Sequence, residues 1–234
     1  MTSIRRAVIL MGMAVALAHA SAATAAPITL QLSSGASVVT VSDGGLGDVN
    51  PLAGVITYLG PVGSWWMNFT TGVDENVPGA AIMDLVSFNG APLGASDPLM
   101  VLLTQIGLIG PATGFVMDFG GTGSNLASVL YSAYADDSNA AFGLSQLIGT
   151  LGPYGTSSFS GTTSGSVSVS GSYSLTQALT IQAGRFGAAS YSGDAQLTPE
   201  VETQQVPEPA SLTLFGGGLS LLGVALRRRR QTTE

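Results

Sequence analysis

The chain has 234 residues, of which 14 are acidic and seven are basic, and it contains neither cysteine nor lysine. Residues 26–205 hold 12 of the acidic residues against one basic residue, Arg185, so this segment carries a net charge near −11 that disfavours nucleic acid as a partner. His19 is the only histidine, and without histidine, cysteine or lysine beyond residue 25 most enzyme classes are disfavoured. The groups left for chemistry are carboxylates, hydroxyls and Arg185.

The first 25 residues predict a secretory signal peptide. Arg5 and Arg6 precede an apolar stretch over residues 7–18, and small residues with Ala-x-Ala spacing follow. We expect export with cleavage near Ala25; twin-arginine export is less favoured, because the residues around the arginine pair match its pattern poorly. Residues 26–205 then form one ectodomain, which is long enough to bury a core and does not depend on disulfides.

Within this ectodomain, apolar and β-branched stretches alternate with glycine, proline, asparagine, aspartate and serine. This rhythm predicts an all-β domain, and an antiparallel β-sandwich is the expected architecture. Residues 99–109 are nearly continuously apolar and are expected to form a central strand, whereas residues 144–151 leave a short helix open as an alternative. The strands predicted in chain order cover residues 28–32, 36–41, 55–59, 64–70, 81–88, 99–106, 114–119, 127–134, 166–174 and 178–183.

Between the second and third predicted strands lies a glycine-rich turn that contains Asp43, Asp48 and Asn50. Two carboxylates and an amide are hard oxygen ligands of the kind that Ca2+ prefers, so these three residues are the candidate metal site. Their spacing does not match an EF-hand loop, and no glutamate closes it. The alternative is a polar turn in which the aspartates and the asparagine hydrogen-bond to the backbone.

Trp65 and Trp66 are adjacent on a predicted strand, so one indole is expected to face the core and the other to face outward. The outward indole is a candidate platform for stacking on a sugar ring. The plainer alternative is core packing beside one tolerated surface aromatic.

Three further features predict surface positions rather than catalytic or binding sites. The acid pairs Asp136–Asp137 and Asp74–Glu75 consist of adjacent residues, which diverge in a strand and make a poor catalytic pair, so we expect solvated loops. Residues 156–176 are rich in serine, threonine and glycine and predict hydroxyl-rich strands and turns, with O-glycosylation as the functional alternative. The sequon at Asn68 is interpreted as accidental.

Residues 206–230 consist of three consecutive parts. A short motif, an uncharged apolar run and a basic cluster follow one another: Val206, Pro207, Glu208 and Pro209, then residues 210–226, then Arg227, Arg228, Arg229 and Arg230. The run is slightly shorter than the about 20 residues with which a helix crosses hydrocarbon, so it predicts a short transmembrane helix. The arginines resist translocation, which keeps the C-terminus in the cytoplasm and the ectodomain outside. A buried core helix with a solvated basic end is the alternative.

This order of parts resembles the PEP-CTERM sorting signal, and the resemblance is carried by Pro207, Glu208, Pro209 and the arginine cluster. The resemblance implies recognition by an exosortase, a membrane enzyme that cleaves near the motif. Residues 38–55 and 174–181 are also similar to body segments of proteins with this tail, which are mostly β-sandwiches of unknown role from diderm bacteria that make exopolysaccharide. No catalytic residue comes with either resemblance.

These observations predict an exported, non-enzymatic structural or adhesion protein of the cell surface or extracellular matrix, anchored in the inner membrane until an exosortase processes it. Exopolysaccharide is the expected partner, with Ca2+ as an ion that bridges the acidic surface. The first alternative is a calcium-assisted carbohydrate-binding module that uses the outward tryptophan and the turn of residues 43–50. The remote alternative is a glycoside hydrolase with two carboxyl groups about 5–10 Å apart in a cleft.

Overall fold

The computed structural model describes residues 27–74, 82–92, 97–185 and 188–200, with only the backbone described at residues 73–74 and 82–92. These residues form twelve strands and, within those ranges, no helix, so the all-β prediction is confirmed. In chain order the strands are β1 (Ile28–Ser34), β2 (Ser37–Ser42), β3 (Val55–Val62), β4 (Trp65–Asp74), β5 (Ile82–Pro92), β6 (Leu99–Ile109), β7 (Ala112–Ser124), β8 (Leu126–Asp136), β9 (Gln146–Tyr154), β10 (Ser158–Val169), β11 (Ser172–Ala183) and β12 (Ser190–Pro199).

The strands form two six-stranded sheets in which every neighbouring pair is antiparallel. Sheet A has the order β2-β1-β6-β11-β8-β9, and sheet B has the order β10-β7-β12-β5-β4-β3. The prediction that residues 99–109 form a central strand is confirmed, because β6 lies between β1 and β11. Since alternate side chains of a strand point to opposite faces, each sheet has an inner face and an outer face.

The inner faces of the two sheets share one apolar core. On sheet A, Val101 and Leu103 of β6 are fully buried. Across the interface, the ring centroids of Phe119 on β7 and Tyr131 on β8 lie 5.0 Å apart. Truncating one such buried side chain to alanine costs about 2–5 kcal/mol. The sandwich is therefore held by alternating apolar side chains, in a chain that contains no cysteine.

Two glutamines, Gln105 on β6 and Gln177 on β11, are fully buried on the inner face of sheet A. Gln177 Oε1 accepts a hydrogen bond from the Tyr131 hydroxyl at 2.9 Å. Neither amide atom of Gln105, which pairs with Leu175, has a hydrogen-bond partner among the described residues. A buried amide without a partner loses its hydration without compensation, so we expect Gln105 to lower the stability of the fold.

The structure corrects two predictions in the second half of the chain. The short-helix alternative for residues 144–151 is wrong, because β9 pairs with β8 there and buries Ile148 while Leu147 stays exposed. The single strand predicted over residues 166–174 is wrong, because the chain turns between β10 and β11 at Gly171, which has a φ of +80°. β12 and the first part of β10 have no predicted counterpart, since strands rich in serine, threonine and glycine give little apolar signal.

β9 and β10 meet along one side of the sandwich. The Gln146 side-chain amide donates to the Ser168 carbonyl at 3.1 Å and accepts from the Ser168 N–H at 3.0 Å, as a neighbouring strand would. At Gly165 the two strands are so close that a Cβ would collide with the Ile148 carbonyl oxygen. The free edge of β10 is therefore partly covered.

The connection between β2 and β3 covers the edge strand on the other side of sheet B. The Thr57 N–H donates to Asp48 Oδ1, and the Val49 N–H donates to the Thr57 carbonyl, both at 2.9 Å. Farther along β3, Pro61 has no N–H, and its carbonyl accepts from the Tyr58 hydroxyl at 2.9 Å. Because backbone groups alternate in direction along a strand, Thr57 and Pro61 belong to the same edge. Little of that edge remains for pairing with another chain.

The predicted terminal segments fall outside the described residues. These are the signal peptide at residues 1–25 and the three-part segment at residues 206–230, with its apolar run at residues 210–226. In the part of the chain that the structure describes, no helix is long and apolar enough to cross a membrane.

Candidate functional site

The outer face of sheet B, here called the sheet B face, is mostly polar. Its described side chains come from β10, β7, β12, β4 and β3, because only the backbone of β5 is described. β10 presents six outward hydroxyls, whereas Val167 and Val169 point inward and are buried. The outward hydroxyls belong to Ser158, Ser160, Thr162, Ser164, Ser166 and Ser168. The prediction of hydroxyl-rich strands and turns in residues 156–176 is therefore confirmed.

A groove of about 330 Å³ opens on the sheet B face across β10, β7 and β12. Two rows of paired residues line it: Thr162, Asp118 and Gln196 form one row, and Ser160, Gly120 and Asp194 form the next. Gly120 is the floor, since it lacks a side chain where both neighbours carry one. A Cβ at Gly120 would make ordinary van der Waals contact with the Phe159 carbonyl oxygen at 3.6 Å and with Ser160 Cβ at 3.8 Å, so a side chain could be added there without a clash.

The groove carries two negative charges. The Thr162 hydroxyl donates to Asp118 Oδ1 at 2.5 Å, which orients this carboxylate. Asp194 is the diagonal neighbour of Asp118 in the sheet, and diagonal positions lie about 7–8 Å apart. Burial, and then the charge of Asp194, raises the pKa of the Tyr191 hydroxyl above its ordinary value. No basic side chain occurs among the described residues that line the groove.

The two tryptophans of β4 divide as the strand geometry predicts. Trp65 is 0% exposed, and its Nε1 donates to the Asp97 carbonyl at 2.9 Å, so Trp65 is a core residue. Trp66 is 50% exposed on the sheet B face. The register through β5 places Trp66 level with Ser190 of β12. Two strand spacings, about 10 Å, separate Trp66 from β12, and Asp194 lies about 13 Å farther along β12 than Ser190. Stacking of a sugar on Trp66 stays a prediction.

The candidate calcium residues all serve the turn between β2 and β3. Each accepts a hydrogen bond from a backbone N–H of that turn: Asp43 Oδ2 from Gly54 at 2.8 Å, Asp48 Oδ2 from Gly44 at 3.0 Å and Asn50 Oδ1 from Leu52 at 3.0 Å. These hydrogen bonds to the backbone are those expected of a polar turn, which was the alternative to a metal site. No group of three acidic or histidine side chains suited to a metal ion occurs among the residues that the structure describes. Calcium binding here stays a prediction.

Asp136 does not lie in a solvated loop, which corrects half of the interpretation of the acid pairs. It ends β8 and is only 6% exposed, whereas Asp137 is exposed. The Ser138 hydroxyl donates to Asp136 Oδ1 and is the main cause that lowers the pKa of this carboxyl. Burial raises the pKa and so opposes this effect. The Ser138 N–H, which donates to Oδ1 at 2.8 Å, and hydrogen bonds from Ser145 lower the pKa further. Asp136 therefore organises the connection to β9. The Asp74 side chain and Glu75 lie outside the description.

The groove has no counterpart among the sequence predictions. Its side chains come from three strands that lie far apart in the chain, and none of them belongs to a motif. The one local signal is Asp118, a charge between the apolar residues Met117 and Phe119 in a predicted strand, which marks an outward position. Only the register of β10 and β12 with β7 shows what lies beside it.

Comparison with protein families identifies the C-terminal segment. The family model of the PEP-CTERM protein-sorting motif matches residues 205–230. The chain thus carries the signal of an exported protein that is anchored in the membrane until an exosortase processes it. It is a PEP-CTERM domain-containing protein, as the order of Pro207, Glu208, Pro209 and the arginine cluster predicts. No curated protein sequence matches the chain.

Several solved structures share a limited likeness with the chain. The K1 cleaved adhesin domain of Lys-gingipain from Porphyromonas gingivalis W83 has a TM-score of 0.28 at 10% identity, over 63% of this chain and 99% of that one. The adhesin domain of Epf from Streptococcus pyogenes has a TM-score of 0.34 at 12% identity, over 73% and 57%. A carbohydrate-binding module of Cellvibrio mixtus lichenase 5A, in complex with cellotriose, has a TM-score of 0.24 at 8% identity, over 57% and 88%. At these scores the likeness does not transfer a function.

Proposed function

We propose that this chain is a structural and adhesion protein of the cell surface or extracellular matrix, whose β-sandwich contacts exopolysaccharide through the sheet B face. The observation that carries the proposal is the sorting motif at residues 205–230, which directs an acidic, hydroxyl-rich ectodomain to the outside of the cell. In the precursor, residues 1–25 direct export, and a helix over residues 210–226 holds the ectodomain at the inner membrane. An exosortase then acts near Pro207.

The sheet B face supports polysaccharide contact because it combines two kinds of surface. Trp66 offers an exposed aromatic ring, which stacks well on the apolar side of a sugar. The groove offers carboxylate, amide and hydroxyl groups that hydrogen-bond to sugar hydroxyls. Both open on one side of one sheet, so an extended glycan can contact them together. Calcium assistance through Asp43, Asp48 and Asn50 is the less supported variant, because turn hydrogen bonds already engage these side chains.

The proposal is non-enzymatic, although Asp118 and Asp194 occupy diagonal positions of the sheet and therefore bring two carboxyl groups near each other, as glycoside hydrolases require. Such enzymes enclose the scissile bond between the two carboxyl groups, whereas this groove opens on the outer face of a sheet. Incubation with polysaccharides followed by an assay for new reducing ends tests this point. We expect none. Reducing ends that disappear in Asp194→Asn would establish the hydrolase alternative instead.

The sorting part is tested by intact mass and fractionation of the native protein with and without the host's exosortase. We expect a product in the envelope or medium that ends near Pro207, and its loss in the strain without the enzyme. A matched variant replaces Pro207, Glu208 and Pro209 with alanine and should behave like the enzyme deletion. Full-length protein in the inner membrane of every strain would contradict the proposal.

The adhesion part is tested by co-sedimentation of the purified protein with the host's exopolysaccharide, with and without a calcium chelator. Trp66→Ala should weaken binding by about two- to tenfold, since an aromatic contact contributes about 0.5–1.5 kcal/mol. Leu59→Ala is the matched control, because Leu59 is an exposed apolar residue of the same face, 59% exposed, without a π-face. Equal binding by all three proteins would exclude Trp66 from the contact, and loss of binding on chelation would restore the calcium variant.

A further inference from the structure

The groove presents more hydrogen-bond acceptors than donors. Asp118 and Asp194 supply four carboxylate oxygens, and Gln196 adds a carbonyl oxygen. On the donor side, the Thr162 hydroxyl is already used, because it donates to Asp118 at 2.5 Å, which leaves the Ser160 hydroxyl and the two N–H groups of the Gln196 amide. A ligand that fits this lining therefore donates more hydrogen bonds than it accepts.

The two charges in the groove are not balanced by the protein. Arg185 is the only basic residue between residues 26 and 205, and it does not line the groove. The whole segment, with 12 acidic residues, repels anions and attracts cations. An acidic polysaccharide would meet like charge in this groove, and a neutral one would supply hydroxyl donors but no positive charge to balance the two carboxylates.

We infer that the groove binds a polysaccharide that carries protonated amino groups, such as a partly or fully de-N-acetylated amino-sugar polymer. The inference rests on the proposed function and specifies its ligand. An ammonium group has three donors and no acceptor. It therefore matches Asp118, Asp194 and the Gln196 carbonyl, while Gly120 leaves room for a sugar ring to lie on the floor of the groove.

The test compares two hexasaccharides of the same β-1,4 linkage, one of glucosamine and one of N-acetylglucosamine, by calorimetry on the purified protein. We expect the glucosamine form to bind more tightly and its binding to weaken at high salt. Asp118→Asn and Asp194→Asn should each cost about two- to fivefold, in keeping with exposed ion pairs. The double variant should lose the preference for the amine.

Two further variants test whether binding depends on the groove itself or only on the overall negative charge of the protein. Asp97→Asn combined with Asp137→Asn removes two exposed charges elsewhere, and it should keep the preference. Gly120→Val fills the floor and should weaken binding of both hexasaccharides, while urea unfolding shows that the variant folds. A preference that survives Asp118→Asn with Asp194→Asn, or that is equally lost in the Asp97–Asp137 control, would overturn the inference.

The outcomes distinguish this inference from the proposed function. Equal affinity for the two hexasaccharides, or binding only of an acidic oligosaccharide with Ca2+, overturns the amine specificity; co-sedimentation with exopolysaccharide that depends on Trp66 then still supports adhesion. Failure of both hexasaccharides to bind also overturns the inference. Absence of co-sedimentation with any polysaccharide overturns the adhesion proposal itself.

Discussion

Gln105 shows how a single buried side chain can weaken the fold. Its amide lies on the inner face of sheet A without a hydrogen-bond partner among the described residues. Gln105→Met keeps the length of the side chain and removes the unsatisfied amide, so we expect the free energy of unfolding to rise by about 1–3 kcal/mol, measured by urea denaturation.

The matched control is Gln177→Met on the adjacent strand. This substitution removes the acceptor of the Tyr131 hydroxyl and leaves that hydroxyl buried, so it should lower the free energy of unfolding by about 1–3 kcal/mol. Opposite signs at two buried glutamines are expected. A lower free energy of unfolding in both variants would show that Gln105 is satisfied in solution, for instance by an internal water.

Asp136 links stability to pH at one residue. Its folded pKa is lowered, chiefly by the Ser138 hydroxyl. The carboxylate therefore contributes stability that is fully present above the pKa of an unfolded aspartate, about 3.9, and that is lost as the pH falls through the lower folded pKa. Asp136→Asn should cost about 1–2 kcal/mol at pH 7, because charge-assisted hydrogen bonds become neutral ones.

Below the folded pKa, the cost of Asp136→Asn should shrink toward zero, because the wild-type carboxyl is then neutral as well. Urea denaturation of both proteins across the acid range measures this difference. Asp137→Asn, at the exposed neighbour, should change little at any pH. A cost of Asp136→Asn that is the same at pH 7 and in strong acid would contradict the assignment.

At the scale of residues, the sequence predicts what depends on local alternation and misses what depends on register. The division of Trp65 and Trp66 between core and surface follows from two adjacent positions in one strand. The pairing of Asp118 with Thr162 and Gln196 does not, because these residues meet only when β10 and β12 align on β7.

At the scale of elements, the turn between β2 and β3 acts as a cover for an edge strand. Asp48→Ala removes the acceptor of the Thr57 and Asn50 N–H groups, so it should lower the free energy of unfolding by about 1–3 kcal/mol. It also exposes the edge of β3, and we expect self-association to increase, as measured by light scattering. Asp137→Ala removes an equal charge and should leave the protein monodisperse; association of both variants would point to net charge instead.

The elements that were predicted and those that were not differ in composition. β1, β4, β6 and β8 combine apolar alternation with glycine or aspartate at their ends, and the predicted strands overlap them. β9 was ambiguous because a short apolar run fits either helix or strand, and pairing with β8 decides for strand. β12 buries Tyr191, Ala195 and Leu197, but serine, glycine and aspartate interrupt this alternation, and pairing with β5 and β7 fixes it as a strand.

At the scale of the whole molecule, the scarcity of basic residues limits where trypsin can cut the ectodomain. Arg185 is exposed between β11 and β12 and is the only trypsin site from residue 26 to residue 205. We expect trypsin to cut the processed protein once and the two fragments to stay associated, since β12 pairs with β5 and β7 on both sides. Mass spectrometry and native size exclusion measure this. Separation of the fragments without denaturant would contradict the pairing of β12.

The covered edge of β3 matters for a protein that accumulates outside the cell, where no chaperone separates stacked molecules. A bare strand edge at high local concentration invites fibre growth, which locks each molecule permanently to the next. Asp48 and Pro61 protect the edge of β3 from this route of assembly. In a matrix that is held together by glycan contacts instead of strand pairing through β3, competition for the glycan would loosen the matrix and removal of the competitor would restore it.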